Sequence, residues 1–137
     1  MGRVSVYHSF AYTDARYSKG NFKGNRVEYA PEWINRVGAS FEKAWFSMSI
    51  QYSNQSKAYG DAANTERSSN PIVGQIPAYQ VFDLSLTGKW KSLKLKAGVN
   101  NLTDQRYFTQ RTDEYPGPGI IPSVGRSFYV GVGWSVL

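Results

Sequence analysis

Polar and apolar side chains alternate along most of this chain with a period of two, the repeat of a half-exposed β-strand. Phe46, Met48, Ile50 and Tyr52 share one face, while Ser47, Ser49, Gln51 and Ser53 take the other. The same pattern sets Phe82, Leu84, Leu86 and Trp90 against Asp83, Ser85, Thr87 and Lys89. It returns as Leu93, Leu95, Ala97 and Val99 opposite Lys94, Lys96, Gly98 and Asn100. Phe128, Val130, Val132, Trp134 and Val136 then oppose Ser127, Tyr129, Gly131, Gly133 and Ser135. Two earlier segments are less regular. Residues 30–42 place Asn35 among Trp33, Val37, Ala39 and Phe41, and residues 3–17 place His8 among Val4, Val6, Phe10 and Tyr12. The expectation is an all-β chain of six sequential antiparallel strands, near 3–17, 30–42, 44–56, 77–90, 93–107 and 125–136. Phe82, Leu84, Leu86, Leu95, Val99, Val130 and Val132 should share the outward face, and Asp83, Ser85, Lys94, Lys96 and Tyr129 the other.

The connections alternate in length. Tight turns are expected near Glu42-Lys43-Ala44 and Trp90-Lys91-Ser92, whereas 18–29, 59–76 and 108–124 are long and rich in Gly, Asn, Ser, Pro and charge. Short turns on one rim and long loops on the other are the pattern of bacterial outer-membrane barrels. Aromatic residues near the ends of the apolar faces, including Trp33, Phe41, Phe46, Tyr52, Phe82, Trp90, Phe128 and Trp134, suit two interfacial belts.

Composition supports a sheet and narrows the chemistry. Aromatic residues make up 15% of the 137 positions and charged residues 19%. No apolar run approaches the roughly 20 residues of a membrane helix, and the mean hydropathy of −0.47 is compatible with a membrane barrel, whose lumen-facing half is polar. With no Cys and a single His, neither a disulfide framework nor a clustered zinc site is expected, and no cofactor is implied. His8 is read as a tolerated polar residue, because nothing in the sequence supplies a metal ligand or proton relay beside it. The net charge of +6 is partly local, in Lys89, Lys91, Lys94 and Lys96. No nucleic-acid recognition motif accompanies these lysines, so they are read as a solvated strand end. There is no nucleophile elbow and no paired carboxylate, so an enzyme is not expected. The amino end already alternates like a strand and contains no signal-peptide core.

Residues 97–108, Ala-Gly-Val-Asn-Asn-Leu-Thr-Asp-Gln-Arg-Tyr-Phe, closely resemble the penultimate strand of TonB-dependent outer-membrane receptors. In that family a phrase of this kind precedes a long external loop and a closing strand, here Tyr115–Pro122 and Gly125–Val132. Gly24–Pro31 and Ile76–Leu84 are similar to the family's entries into earlier strands. Gly98, Asn100, Asn101, Leu102, Asp104, Tyr107, Arg126 and Phe128 carry the motif; Asn100, Asn101 and Asp104 are also of the type that bonds nearby backbone in a turn or bulge.

The resemblance implies that residues 1–137 are a partial barrel domain, the carboxyl-terminal part of a barrel of about 22 strands with a plugged lumen. The plug and the earlier strands are expected to lie upstream. It further implies TonB-coupled import of chelated iron in the outer membrane, most like receptors for ferric citrate or a related siderophore. TonB would be met through the upstream region, the barrel-assembly machinery through the closing strand, and lipid through the outward face. Transport by this chain alone is not expected. The family's usual terminal aromatic is here followed onward, Trp134 preceding Ser135, Val136 and Leu137. Arg106, Tyr107, Gln110, Arg111, Tyr115 and Arg126, in or beside the last loop, are candidate contacts for an anionic chelate. The second reading is a soluble β-sandwich or small barrel that binds sugar or lipid through surface aromatics.

Overall fold

The computed structural model describes residues 1–114 and 117–135. The strands are β1 (Arg3–Tyr12), β2 (Trp33–Lys43), β3 (Phe46–Gln55), β4 (Ala58–Tyr59), β5 (Gln75–Ile76), β6 (Tyr79–Trp90), β7 (Leu93–Asn100), β8 (Phe108–Thr112), β9 (Gly119–Pro122) and β10 (Ser127–Trp134). Six of them form one antiparallel sheet in the order β1-β2-β3-β6-β7-β10, and β4-β5 and β8-β9 are two small hairpins within the long loops. The main sheet is therefore an uninterrupted meander of the expected strands.

Register fixes the faces. Leu84 pairs with Val99 and Leu86 with Ala97, while Phe128, Val130 and Val132 oppose Val99, Ala97 and Leu95. Across the first half, Val4 opposes Phe41 and Phe41 opposes Met48, which in turn opposes Leu86. Opposed residues project to one side, so a single apolar face crosses all six strands. Gln51, Asp83, Ser85, Lys96 and Tyr129 lie on the other face by the same pairings.

This apolar face covers no core. Among the described residues the buried hydrophobics are only Ala58, Ile76 and Val81, whereas Val6 is 71%, Phe128 72%, Val130 80% and Trp134 72% exposed. A soluble sandwich would need a second sheet packed on this surface; among the described residues there is none. The second reading thus lacks the layer it requires.

Several boundaries differ from expectation. The first tight turn is Ala44-Trp45, since Lys43 already pairs with Phe46; the second is Lys91-Ser92, with Lys91 in the left-handed region at φ 52°. The strand expected over 3–17 ends at Tyr12, beyond which only an isolated bridge joins Arg16 to Arg26. The strand expected over 93–107 ends at Asn100 because Asn101 turns left-handed at φ 52° and Asp104 follows at φ 54°. β10 ends at Trp134, and the expected extension over Val136 lies outside the described residues.

Aromatic residues on the polar face fill the space left by glycine. Tyr7 is opposed to Gly38 and Tyr129 to Gly98, with each ring lying where a Cβ would project: 2.1 Å from the ideal position at Gly38 and 2.3 Å at Gly98. Tyr7 also donates its hydroxyl to Gln51 Oε1 at 2.6 Å, reaching across β2 to β3.

Candidate functional site

All three long connections lie on one rim and are tied together there. In the first, Arg26 pairs with Glu32 at 2.9 Å and Tyr17 donates its hydroxyl to Glu28. That carboxylate raises the Tyr17 pKa, chiefly because the phenol proton is shared with it. Asn64, in the second connection and left-handed at φ 57°, joins the first by accepting from Arg26 N at 2.7 Å and donating to Arg26 O at 2.8 Å. Asp61 organises its own loop, accepting from Thr65 N, Thr65 Oγ1 and Gly74 N. These short polar side chains replace backbone pairing in the turn.

Arg111 closes the cluster from the third connection. Its Nη1 donates to Pro71 O at 2.7 Å and its Nη2 to Gln75 O at 3.1 Å, while its carbonyl accepts from the Tyr29 hydroxyl at 2.9 Å. The guanidinium also lies over the Phe108 ring, 5.2 Å from its centroid. One arginine thus touches all three loops.

The family-like phrase forms a second knot, where β7 leaves the sheet. Asn101 is only 3% exposed. Its N–H donates to Asp83 Oδ1 at 2.9 Å, its Oδ1 accepts from Gln105 N at 2.9 Å, and its Nδ2 donates to Gln105 O at 3.0 Å. Leu102 N donates to Phe82 O at 2.7 Å. Three residues on, Asp104 Oδ1 accepts from Arg126 N at 2.9 Å, and Asn100 Nδ2 donates to Ser127 Oγ at 3.2 Å. The phrase therefore joins β6, β7 and the entry to β10. The N–H of Arg126, helped by the nearby charges of Arg106 and Arg126, holds the Asp104 carboxyl below the usual carboxylate range.

The remaining candidates are distributed around this knot. Tyr107 stacks on Tyr79 with centroids 4.1 Å apart and lines a cavity of about 590 Å³ with Asn100, Asn101 and Asp83. Arg106 and Arg126 are exposed near Asp104 and do not line that cavity. Gln110 is exposed and opposes Ile121 in the β8-β9 hairpin. Gly98 and Phe128 lie on opposite faces of the sheet. Tyr115 lies outside the described residues. The structure thus gathers Asn100, Asn101, Leu102 and Asp104 at the entry to β10 and brings Arg106 and Arg126 near Asp104, but leaves Arg111 in the separate loop cluster. Sequence reasoning missed Asp83, which looked like one polar strand position among several, and Asp61 and Asn64, whose only signal was the turn-forming character of Gly60–Asn64.

Comparison with known proteins places this arrangement. Residues 3–102 match the family model described as "TonB dependent receptor-like, beta-barrel". The chain is similar to the unliganded ferric citrate transporter FecA, with 27% identity over 95% of the chain and a TM-score of 0.84. It shares its fold with the siderophore receptor PiuA from Acinetobacter baumannii, at 20% identity, 96% coverage and a TM-score of 0.77. It also shares the fold of the copper transporter OprC, at 19% identity, 97% coverage and a TM-score of 0.73. The chain spans only 20%, 19% and 21% of those three chains. With the family model covering most of its length and its six main strands in the expected meander, the chain belongs to the β-barrel family of TonB-dependent receptors.

Proposed function

We propose that the chain is the carboxyl-terminal part of the barrel wall of an outer-membrane receptor that imports a chelated iron compound by coupling to TonB. In this reading the apolar face meets lipid, the opposite face lines the lumen, and the three tied loops form part of the external mouth. The single observation that carries it is the apolar face itself: aliphatic and aromatic side chains cross six strands, and among the described residues nothing covers them, a surface suited to hydrocarbon and costly in water. Similarity to FecA over 95% of the chain favours ferric citrate or a related anionic chelate as the cargo. The exposed guanidiniums of Arg106 and Arg126 supply the matching charge at the mouth. The plug, the segment that engages TonB and most of the substrate site belong to the remainder of such a receptor; docking to the barrel-assembly machinery belongs to the closing strand.

Reading the coding frame upstream tests the assignment most directly: further alternating strands, a plug and an export signal are expected, and a closed frame without them overturns it. For the cargo, ferric citrate uptake by cells carrying the whole receptor should fall at least about tenfold when Arg106 and Arg126 are both replaced by Ala, the size of loss expected for about 1.4 kcal/mol. Unchanged uptake removes these residues from the site.

A further inference from the structure

The register makes more of the lysines at the second tight turn than a solvated strand end. Lys89 is directly opposed to Lys94 across β6 and β7, so two ammonium groups leave the same face of one rung. Like charges so opposed destabilise a sheet until an anion joins them. On the other side Lys94 faces Gly133 and Lys96 faces Gly131, so no side chain of β10 screens either one. Lys91 adds a cation at the turn itself, left-handed at φ 52° with its Nζ 5.6 Å from the centroid of the Trp90 ring. Among the described residues the ion pairs join other side chains. Glu42 borders a neighbouring concavity with Lys89 and forms no ion pair with it.

Beside Gly133 lies a concavity of about 310 Å³, lined by Lys89, Lys91, Lys94, Ser92, Leu93 and Trp134. Backbone hydrogen bonds fix its frame. Ser135 N donates to Ser92 O at 3.0 Å, joining the end of β10 to the turn, and Lys89 N donates to Trp45 O at 2.7 Å, joining the two tight turns. The concavity wraps the end of the sheet: Leu93 and Trp134 are opposed on the outward apolar face, whereas Lys89 and Lys94 belong to the other face. Trp90 and Trp134 are exposed. The neighbouring turn repeats the pairing of cation and indole, with Lys43 Nζ 5.8 Å from the centroid of the Trp45 ring.

Two chemistries meet here, and together they select a ligand. Three ammonium groups are point charges suited to a phosphate. An exposed indole beside a leucine suits the glycerol backbone and first methylenes of a lipid, at the depth where amphipathic rings form an interfacial belt. An acidic peptide would satisfy the lysines but leave Trp134 bare. An uncharged acyl chain would cover Trp134 but leave the lysines repelling one another.

We propose that the Lys89-Lys91-Lys94 concavity binds the phosphate of an anionic phospholipid of the phosphatidylglycerol class in the periplasmic leaflet, with Leu93 and Trp134 seating its glycerol backbone. This rests on the reading of the chain as barrel wall with its tight turns at the periplasmic rim.

The test uses the whole receptor in phosphatidylcholine nanodiscs that carry a small share of a headgroup-photoactivatable phosphatidylglycerol or, as control, phosphatidylcholine. Crosslinked peptides are mapped by mass spectrometry. The phosphatidylglycerol probe is expected to label residues 89–94 and 133–135 at least about 5-fold more than the control, the worth of one lysine beside an anionic lipid. That preference should fall to near parity in a Lys89→Gln, Lys91→Gln, Lys94→Gln triple variant and persist when the same three positions are changed to Arg. Lys91→Gln alone, which leaves the opposed pair intact, should lower it in the same direction. Equal labelling of the parent by both probes overturns the proposal. So does a preference unchanged in the triple Gln variant, or one abolished by millimolar glycerol phosphate, which would mark a site for free phosphate rather than for lipid. A third probe, photoactivatable at the acyl tail, tests the premise separately: labelling of Val130 and Val132 shows that the apolar face meets lipid whatever the rim does. Its failure to label them overturns the spanning reading and the proposal with it.

Discussion

The ring of Tyr129 lies across Gly98, its Cζ 2.3 Å from where a β-carbon would stand, and the two residues are directly opposed on β10 and β7. The glycine is a seat for the aromatic ring, and its bare backbone is shielded in return, which offsets the weakness that glycine brings to a strand.

Gly98→Ala should therefore displace the ring and lower stability by about 0.5–1.5 kcal/mol, the worth of a cross-strand aromatic contact plus modest overpacking. The cost stays modest because the atoms in the way are the free end of Tyr129. Denaturant unfolding in detergent micelles checks it through a cycle: in a Tyr129→Ser background the same Gly98→Ala change should be neutral or stabilising, since alanine has the better strand propensity. An equal loss in both backgrounds would mean the ring plays no part.

Asn101 is expected to be the most sensitive single position of the motif. Asn101→Ala would strip partners from Gln105 N and O while keeping a left-handed backbone that alanine disfavours. The combined loss is about 2–4 kcal/mol. Limited proteolysis should show it as new cleavage between 101 and 126 before the main sheet unfolds. Asn101→Gly, which relieves the backbone but not the hydrogen bonds, should fall between Ala and the parent.

The alternation of faces was legible in the sequence because a sheet with one apolar side must repeat every two residues, and the pairing of Leu84 with Val99 follows from it. Strand ends were less legible. Residues 13–17 are compatible with a strand yet have no continuous partner, and Asn101 stops β7 by a backbone conformation that its side-chain type only permits. The hairpins β4-β5 and β8-β9 are too short to carry a period. Arg111 looked like a free guanidinium for a ligand because its partners, the carbonyls of Pro71 and Gln75, lie about 40 residues away and have no side-chain signature. His8 and Asn35 each broke the pattern alone; only the register shows that they meet.

Asp104 should make the knot sensitive to acid. Its folded pKa is depressed below the ordinary 3.8 by the Arg126 N–H, so the ionised form is favoured by folding. The resulting stability is fully present above the unfolded value and disappears as pH falls through the folded one. Unfolding midpoints of the parent and Asp104→Asn, measured in detergent from pH 6 to pH 2, should lie furthest apart at the upper end and converge toward the lower. A separation that widens on acidification would contradict the assigned direction of the shift.

The isolated chain should neither close into a stable pore nor conduct. β1 and β10 end the six-stranded order and do not pair with one another, while the smallest outer-membrane barrels have eight strands. Each unpaired backbone group in hydrocarbon costs several kcal/mol, and two open edges expose a row of them. Refolding into lipid should therefore give edge-to-edge aggregates or a sheet held at the interface, with no unit conductance in planar bilayers and no heat-modifiable band on a gel. If the chain is part of a larger barrel wall, as proposed, co-refolding it with the strands of the whole receptor supplied as a separate segment should suppress the aggregation by pairing both edges. Reproducible unit channels from the chain alone, with the mobility shift of a closed barrel, would show that six strands suffice and would undo the reading of this chain as one part of a larger wall.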